Sequence, residues 1–559
     1  MGLSGRQRQK IQEALINAFP NMASLEQMLS FELNQNLRAI APEGSLEQIV
    51  FVLIQVAESQ GWIENLIHAA YRTNPGNSEL QAVAQTFNIA PQSGSNIPYP
   101  PNPFFTGREI HNGIEPRCDN DGGQLFGTPT PFIPFRIQFK PSVFIPFTSL
   151  AITVLVTVIR FSGILQGFEL RAFDQMMRLR PDLGIDPRLL VVTIDETDRK
   201  YQDENGMERH DSSLSDTALA QLLEKLEPLQ PRVIGLDIIR DFPVSSDQPK
   251  LAKNLQNTDN FIGICIGNDP TNKDPDITIR EKGIKPPPEI PADRIGFADV
   301  QKDSDGILRR HLWSATFNSN TDCNTDFSLS LKLALYYLAK KDIKPENTSS
   351  GDLVLGKARL QRFLPRSGGY QNLQNEGYQM LLNYRSRNIA RQCSLTDILQ
   401  KNTCNPSWIK DKIILIGVTA SSVKDDFYTP YSINEQPDQT MRGVFVQAQM
   451  VSQIISAALD GHPPLLKVLP CWGDIFYIWI WSLVGGVFGL PVLKKITRRD
   501  HKIIFVLAST GFILIISYST CLFILIKGYW LPFIPSTIAD LSTSIIMFNY
   551  NHKITDKRQ

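Results

Sequence analysis

The sequence predicts a multi-domain membrane protein with an N-terminal all-α helical bundle, a large extracytoplasmic α/β domain and four transmembrane α-helices. Four long apolar stretches lead to this prediction, and they lie at 142–168, 472–493, 503–526 and 529–549. Each is long enough to cross a hydrocarbon core of about 30 Å as a helix that rises about 1.5 Å per residue. The polar segment 169–466 must then lie on one side of the membrane and the N-terminal residues on the other.

Basic residues set the predicted orientation. The loop LKKITRRDHK at 493–502 carries five Lys and Arg residues against one Asp, and the tail 550–559 is also basic. Short loops rich in Lys and Arg remain in the cytoplasm. We therefore expect a multi-pass protein of the bacterial inner membrane, with both termini cytoplasmic and segment 169–466 extracytoplasmic. Residues 1–10 are too polar to open a cleavable signal peptide, so the stretch 142–168 is expected to act as a signal anchor.

Composition and motifs argue against several function classes. The 56 Lys and Arg residues balance 56 Asp and Glu, so no basic excess points to nucleic acid. The seven His residues lack metal-ligand spacing, and no phosphate-binding loop or nucleophile motif is found. The run Asp303-Ser-Asp305-Gly306 lacks the first and last ligands of a calcium loop and predicts a tight turn between two strands. We expect no enzymatic activity, no cofactor and no metal site.

Residues 1–90 show the apolar periodicity of about five short helices, which predicts a small bundle that is either structural or binds partners. The strings LSGRQRQKIQEALINAFP and LEQIVFVLIQVAESQGWIENLIHAAYRTNPGNSEL resemble the effector-associated domain of type one, a death-domain-like bacterial adaptor found in conflict and signalling systems. The resemblance implies homotypic pairing with a matching domain on an effector protein, and it implies no catalysis.

Pairing between like domains needs complementary charges, and this region has a basic group near its start and acidic residues further along. We expect them to form opposite faces of the adaptor interface, the alternative for each being ordinary solvated surface. The residues are Arg6, Arg8, Lys10, Glu26, Glu32, Glu43 and Glu47.

The composition changes between 91 and 141. Ten of the 37 prolines fall there, so we expect an extended linker that acts as a spacer. The alternative is a ligand motif for a proline-binding domain.

Segment 169–466 alternates between strand and helix patterns. Buried strands are predicted at 189–195, 232–238, 261–267 and 413–419, with amphipathic or apolar helices between and after them. This alternation predicts a mainly parallel sheet covered by helices on both faces.

Acidic residues cluster at or just after the predicted strand ends. Because the carboxyl ends of parallel strands meet at one edge of a sheet, a ligand pocket is expected there, for a cationic or metal-assisted ligand. The alternative is that each Asp caps a helix or turn. The candidate residues are Asp195, Glu196, Asp237, Asp241, Lys424 and Asp425, with Arg240 and Asp426 nearby.

The strings FELRAFDQMMRLRP, RLLVVTIDETD, VIGLDIIRDFPV, DSDGILRR and KIILIGVTASSVKDDFYTPYS resemble the CHASE domain of the second type. The resemblance runs from about 168 to 466 and implies an extracytoplasmic sensory module that is commonly followed by three spans. That family usually continues into a catalytic output, whereas this chain ends about ten residues after its last apolar stretch. We therefore expect no cyclase or kinase activity within the chain.

Four cysteines fall in the predicted outer domain, where disulfides can persist. Cys393 and Cys404 are close enough in sequence to close a small loop. Cys265 lies in an apolar strand and is expected to be a buried free thiol, with Cys323 as an alternative partner for any of the others.

Two charges fall within or near the apolar stretches. Arg160 and Asp540 could pair and couple the first stretch to the last three. Alternatively, Arg160 extends towards the outer surface and hydroxyl groups hold Asp540.

Together these features predict a membrane receptor with an outer sensor domain and a cytoplasmic adaptor that recruits an effector. A homodimer is left open. The alternative is an anchor or scaffold in the bilayer that localises the effector without sensing a ligand.

Overall fold

A computed structural model describes residues 5–19, 25–26, 28–29, 33, 37, 46–59, 62–74, 77–86, 141–209, 212–268, 282–317, 320–349, 352–371, 373, 377–432, 439–488 and 499–555. Residues 91–140 of the predicted linker lie outside these ranges. The chain divides into two compact units, 1–131 and 132–559.

The helices and strands of the described residues are numbered in chain order. The helices are α1 (Gly5–Ala18), α2 (Leu46–Ser59), α3 (Ile63–Thr73), α4 (Ser78–Thr86), α5 (Pro141–Phe161), α6 (Gln166–Leu179), α7 (Glu196–Glu204), α8 (Asp216–Leu226), α9 (Pro249–Asn257), α10 (Leu329–Ala339), α11 (Gly443–Leu459), α12 (Cys471–Phe488), α13 (Arg499–Ile526) and α14 (Phe533–Thr555). The strands are β1 (Leu189–Ile194), β2 (Val233–Asp237), β3 (Phe261–Cys265), β4 (Ile295–Phe297), β5 (Arg310–Ser314), β6 (Pro345–Asn347), β7 (Leu353–Leu355), β8 (Ala358–Leu360), β9 (Tyr378–Leu381), β10 (Arg391–Ser394), β11 (Ile413–Val418), β12 (Asp426–Phe427), β13 (Met441–Arg442), β14 (Lys467–Val468) and β15 (Tyr529–Trp530).

Helices α1 to α4 of the first unit share an apolar core. The stripes predicted from the sequence face one another, and Leu15, Leu53 and Leu66 are fully buried between them. Leu25 and Leu29 belong to the same core. Burial of such stripes is the main source of stability for helices this short.

The second unit is built on a six-stranded sheet in the order β10-β1-β11-β2-β3-β4, with every neighbouring pair parallel. The predicted parallel sheet is confirmed, and the four predicted strands begin within one residue of their expected starts. Successive residues of β1 point to opposite faces. Leu190 and Val192 pack with α8 and α9, whereas Leu189 and Val191 pack with α10 and α11.

Three described helices are long and apolar enough to cross a membrane, over residues 144–161, 471–488 and 508–526. The predicted stretch 142–168 is too long, because the helix ends at Phe161 and Gly163 adopts a φ of 84° before α6 begins. The stretch 529–549 also differs, because its first residues form β15, which pairs with β14. Helix α14 has 23 residues, but it is not among the three because polar residues interrupt its apolar character.

The charges in these helices do not pair as expected. The Arg160 guanidinium lies 2.5 Å from an Asp474 carboxylate oxygen and donates to the Gly368 carbonyl, so it neither pairs with Asp540 nor extends to the surface. Both carboxylate oxygens of Asp540 are buried without a hydrogen-bond partner among the described residues, so hydroxyl groups do not hold them. Asp474 stands at the start of α12, more than 300 residues from Arg160, and no local pattern connects the two.

Two disulfides join the four cysteines of segment 169–466. The predicted bond between Cys393 and Cys404 is present. Cys265 is bonded to Cys323, so the prediction that Cys265 is a free thiol was wrong. The apolar strand around Cys265 indicated burial correctly, but burial does not distinguish a thiol from a disulfide.

Candidate ligand-binding site

A pocket of about 660 Å³ opens at the carboxyl ends of β2, β3, β4 and β11. Asp237 is the last residue of β2, and Val418 is the last residue of β11. Because these strands are parallel, their ends and following loops surround one crevice. The structure therefore has a pocket at the sheet edge where the sequence predicted one.

Two carboxyl groups form one side of this pocket. Asp237 is only partly accessible, and no described residue donates a hydrogen bond to its carboxyl group or forms an ion pair with it. Burial and the nearby Asp425 carboxylate raise the pKa of Asp237 to about 8. Burial also raises the pKa of Asp425, which lies against Gly443 at the start of α11. A Cβ at position 443 would collide with the Asp425 carboxylate, so glycine is required for this approach.

The third polar group is an amide that the sequence reasoning missed. Gln447 lies one turn after Gly443 on α11 and is only 3 % exposed. Its Nε2 donates to the Ala298 carbonyl at 3.4 Å, whereas its Oε1 has no hydrogen-bond partner among the described residues. Buried polar atoms are normally satisfied, so this oxygen is an unsatisfied acceptor within the pocket wall. The available signal was a glutamine in the otherwise apolar start of a helix.

The rest of the lining combines apolar side chains with Ser212, Ser213 and Gln301, and it has two lysines at the edge. Lys424 is exposed at the pocket, and so is Lys302, whose Nζ lies 4.9 Å from the centre of the Phe427 ring. Asp299 also lines the pocket, but its carboxylate accepts a hydrogen bond from the Gly267 amide at 2.8 Å. The apolar lining residues include Ile238, Ile239, Ile264, Ile266, Val418 and Val423.

Three of the six predicted pocket residues lie outside the pocket, and so does the nearby Arg240. Asp195 caps α7, where it accepts from the Asp198 amide at 2.9 Å. Glu196 is largely exposed and accepts from the Ser422 amide at 2.7 Å.

Asp241 is exposed outside the pocket, and Arg240 is buried in an ion pair with Asp216. For Asp195 and Glu196, the competing interpretation as helix-end and turn residues explains their position. Of the six candidates, Asp237, Lys424 and Asp425 line the pocket.

No group of three His, Cys, Asp or Glu side chains within the described ranges is arranged to hold a metal ion. The tight turn predicted at 303–306 is present, since the Gly306 amide donates to the Asp303 carbonyl at 2.8 Å.

This turn belongs to a buried charge network that links the core of the α/β domain to α6. Arg309 is completely buried and binds Asp174 of α6 through two hydrogen bonds of 2.8 Å. It also contacts Asp303 and Asp305, each at 2.7 Å. Arg310 provides a second cation for Asp303. Since α6 follows the first candidate span after a short turn, this network joins that helix to the domain core.

A second junction connects α6 with the last helices. The buried Glu169 carboxylate accepts hydrogen bonds from the Phe533 and Ile534 amides at the start of α14. Trp530 is buried against Phe173, with ring centres 4.7 Å apart. Helix α6 is therefore held to the start of α14 by both polar and apolar contacts.

In the first unit, the predicted interface residues have different environments. Arg8 forms a bidentate ion pair with Glu58 of the same unit, at 2.7 and 3.0 Å. Lys10 and Glu47 are exposed, and Glu26 is half-buried. Glu32, Glu43 and the side chain of Arg6 lie outside the described residues.

An exposed aromatic residue was missed on the same surface as Glu47. Phe51 is 46 % exposed and lies between Glu47 and Gln55 on one face of α2. Its sequence spacing could have revealed it, because Phe51 stands four residues from Glu47 and from Gln55, which are polar residues on the same helix face.

The second unit is thus a parallel α/β domain with a pocket at its strand ends, preceded and followed by helices long and apolar enough to cross a membrane. In a comparison with protein-family models, residues 151–487 match the CHASE2 domain. The match covers more than half of the 559 residues, so the chain belongs to this family of extracellular sensor domains. Effector-associated domain 1 matches residues 1–88. Both resemblances expected from the sequence are thus confirmed. Comparisons with curated proteins and with solved structures give no match.

Proposed function

We propose that this protein is a transmembrane signalling receptor, whose outer domain binds a small molecule and whose N-terminal domain recruits an effector. The observation on which this rests most is the pocket at the strand ends, where Asp237 and the Gln447 Oε1 lack partners among the described residues. Sensor and effector-associated domains in one chain are consistent with this role. The chain itself is proposed to be non-catalytic, in a bacterial conflict or signalling system.

The proposed topology has four membrane helices, with α14 as the fourth and both termini in the cytoplasm. The pairing of β14 with β15 supports it, because it places the segment before α12 beside the segment between α13 and α14. Helices α12, α13 and α14 then each cross the inner membrane once. Packing of α14 also supports it, since Thr543 and Ser482 lie in hydrogen-bond contact at 2.7 Å, which shields polar atoms from lipid.

Thiol labelling of intact cells tests this topology. Single cysteines replace Gln60, Thr497 or Ser350 in a chain without Cys118, Cys471 and Cys521. We expect an impermeant reagent to label only position 350 before lysis and all three afterwards. Labelling of position 60 in intact cells would contradict the topology and the receptor function.

Recruitment is proposed to occur by pairing of residues 1–88 with a matching domain on the effector. The exposed Phe51, with Glu47 beside it, provides an apolar centre with a charged edge for this contact. Deletion of 1–90 should abolish capture of proteins that carry such a domain. Phe51→Asp should weaken capture at least tenfold, whereas Asn65→Asp, at an exposed position of α3, is the matched control.

Reversal of Arg6, Arg8 and Lys10 to Glu should weaken capture in a salt-dependent manner. If the deleted form captures the same effector, recruitment by this domain is wrong. If the outer domain shows no saturable binding, the chain is a scaffold that localises the effector without sensing.

A further inference from the structure

We propose that the pocket at the ends of β2, β3, β4 and β11 selects a small organic molecule with a protonated primary amine on an apolar body. This inference rests on the proposed sensing function and specifies the ligand of the same site.

The first argument is the balance of donors and acceptors inside the pocket. Asp237 and the Gln447 Oε1 offer acceptors that no described residue satisfies. Asp425 adds a carboxylate, and the Gln447 Nε2 donor is already used by the Ala298 carbonyl. A primary ammonium group has three donors and no acceptor. It therefore complements this wall, whereas a carboxylate or phosphate would face the negative charge of Asp425.

The second argument is the shape and polarity of the remaining lining. Ile238, Ile264 and Val418 form apolar surface beside the acceptors, which suits a hydrocarbon body attached to the amine. A volume of about 660 Å³ is in the range typical of small-molecule sites. Because no three metal-ligating side chains converge among the described residues, the acceptors point to an organic cation.

The protonation of Asp237 provides a separate readout. Asp425 faces it, and Asp299, Lys302 and Lys424 also line the pocket. Burial and Asp425 raise the pKa of Asp237 to about 8, so its carboxyl group holds a proton at neutral pH. An ammonium group placed beside Asp237 favours the ionised form. Binding at pH 7 should therefore release up to about one proton.

The two basic residues at the pocket edge should distinguish an amino acid from a simple amine, both of which carry the primary ammonium group. Lys302 and Lys424 would attract the carboxylate of an amino acid whose amine lies inside. A simple amine gains nothing from them. Norvaline is butylamine with a carboxylate on the carbon that bears the amine, so the two form a matched pair.

The test uses the full chain in lipid nanodiscs and isothermal titration with butylamine, norvaline, 1-butanol and butyrate. We expect one or both amines to bind at least tenfold more tightly than 1-butanol and butyrate. Repeating the titration in buffers of different ionisation enthalpy should reveal proton release. Asp237→Asn and Gln447→Leu should each weaken amine binding at least tenfold, and Asp237→Asn should also remove the proton release. Asp241→Asn, an exposed carboxylate outside the pocket, is the matched control.

The outcomes separate the ligand class from the sensing function. Equal binding of 1-butanol and butylamine, unchanged amine binding in Asp237→Asn, or no binding of either amine overturns the ligand class. If 1-butanol or butyrate binds in a manner lost in Gln447→Leu, the sensing pocket remains and only its ligand class is wrong. If a saturating ligand leaves effector capture unchanged, the receptor function fails although the ligand class stands.

Discussion

Arg309 is the residue whose loss should most weaken the connection between the outer domain and α6. It is 0 % exposed and is shared by three carboxylates, two of which are buried. Arg309→Met keeps much of the side-chain volume and removes the charge. Asp305 can then turn to solvent, and Asp303 keeps Arg310. Asp174 is left buried without the cation that donates its two hydrogen bonds.

The expected loss of stability comes mainly from Asp174, because Asp303 and Asp305 have other ways to compensate their charge. Removal of one partner from a buried ion pair costs about 3–5 kcal/mol, because an uncompensated charge remains. Burial already raises the pKa of Asp174, so the carboxyl group should take up a proton in the variant and the cost should lie near the lower value. Asp174→Asn added to Arg309→Met should recover about 1 kcal/mol or more, because no charge then needs burial.

Amide hydrogen exchange of the full chain in nanodiscs measures this effect. The opening free energy of β5 and β9 amides should fall in Arg309→Met, and partial recovery is expected in the double variant. Lys200→Met removes an exposed ion pair with Glu204 and should leave exchange unchanged. Unchanged exchange in Arg309→Met, or a further loss in the double variant, would refute the reasoning.

Three further predictions concern other parts of the second unit. Since the pKa of Asp237 is raised to about 8 in the fold, its contribution to stability is full below about pH 4 and is lost as pH rises through 8. Asp237→Asn should therefore remove a slope of up to about 1.4 kcal/mol per pH unit between pH 5 and 7 from hydrogen-exchange stability, and an unchanged slope would contradict this assignment. Replacing both Cys393 and Cys404 with Ala opens a loop with a sequence separation of 11, and this should cost about 3 kcal/mol by the chain-entropy model, seen in urea titration of protease resistance. Gly485→Leu should lower the thermal midpoint in nanodiscs, because a Cβ there meets the backbone of α14, whereas Gly511→Leu has open space and should not; equal midpoints would disprove this packing.

Four of the six strands of the main sheet were predictable because each is a short apolar run whose burial is visible in the local sequence. The other two were not predicted, since β4 has only three residues and β10 is largely polar. The pocket was predictable in place, since parallel strands end at one edge. Its composition was less predictable. Asp195 and Asp237 both follow or end an apolar strand, yet one caps a helix and the other faces the pocket. Only the position of the next helix distinguishes them.

Sequence alone determined three of the segments that are apolar enough to span a membrane, the alternation of strands and helices, and the families that the two domains resemble. These properties depend on neighbouring residues. The tertiary structure decided which distant groups meet. It placed Asp474 rather than Asp540 against Arg160, bonded Cys265 to Cys323, and brought the Gln447 Oε1 to the pocket wall without a partner among the described residues. Such pairings arise from packing between elements far apart in the chain, and no local periodicity encodes them.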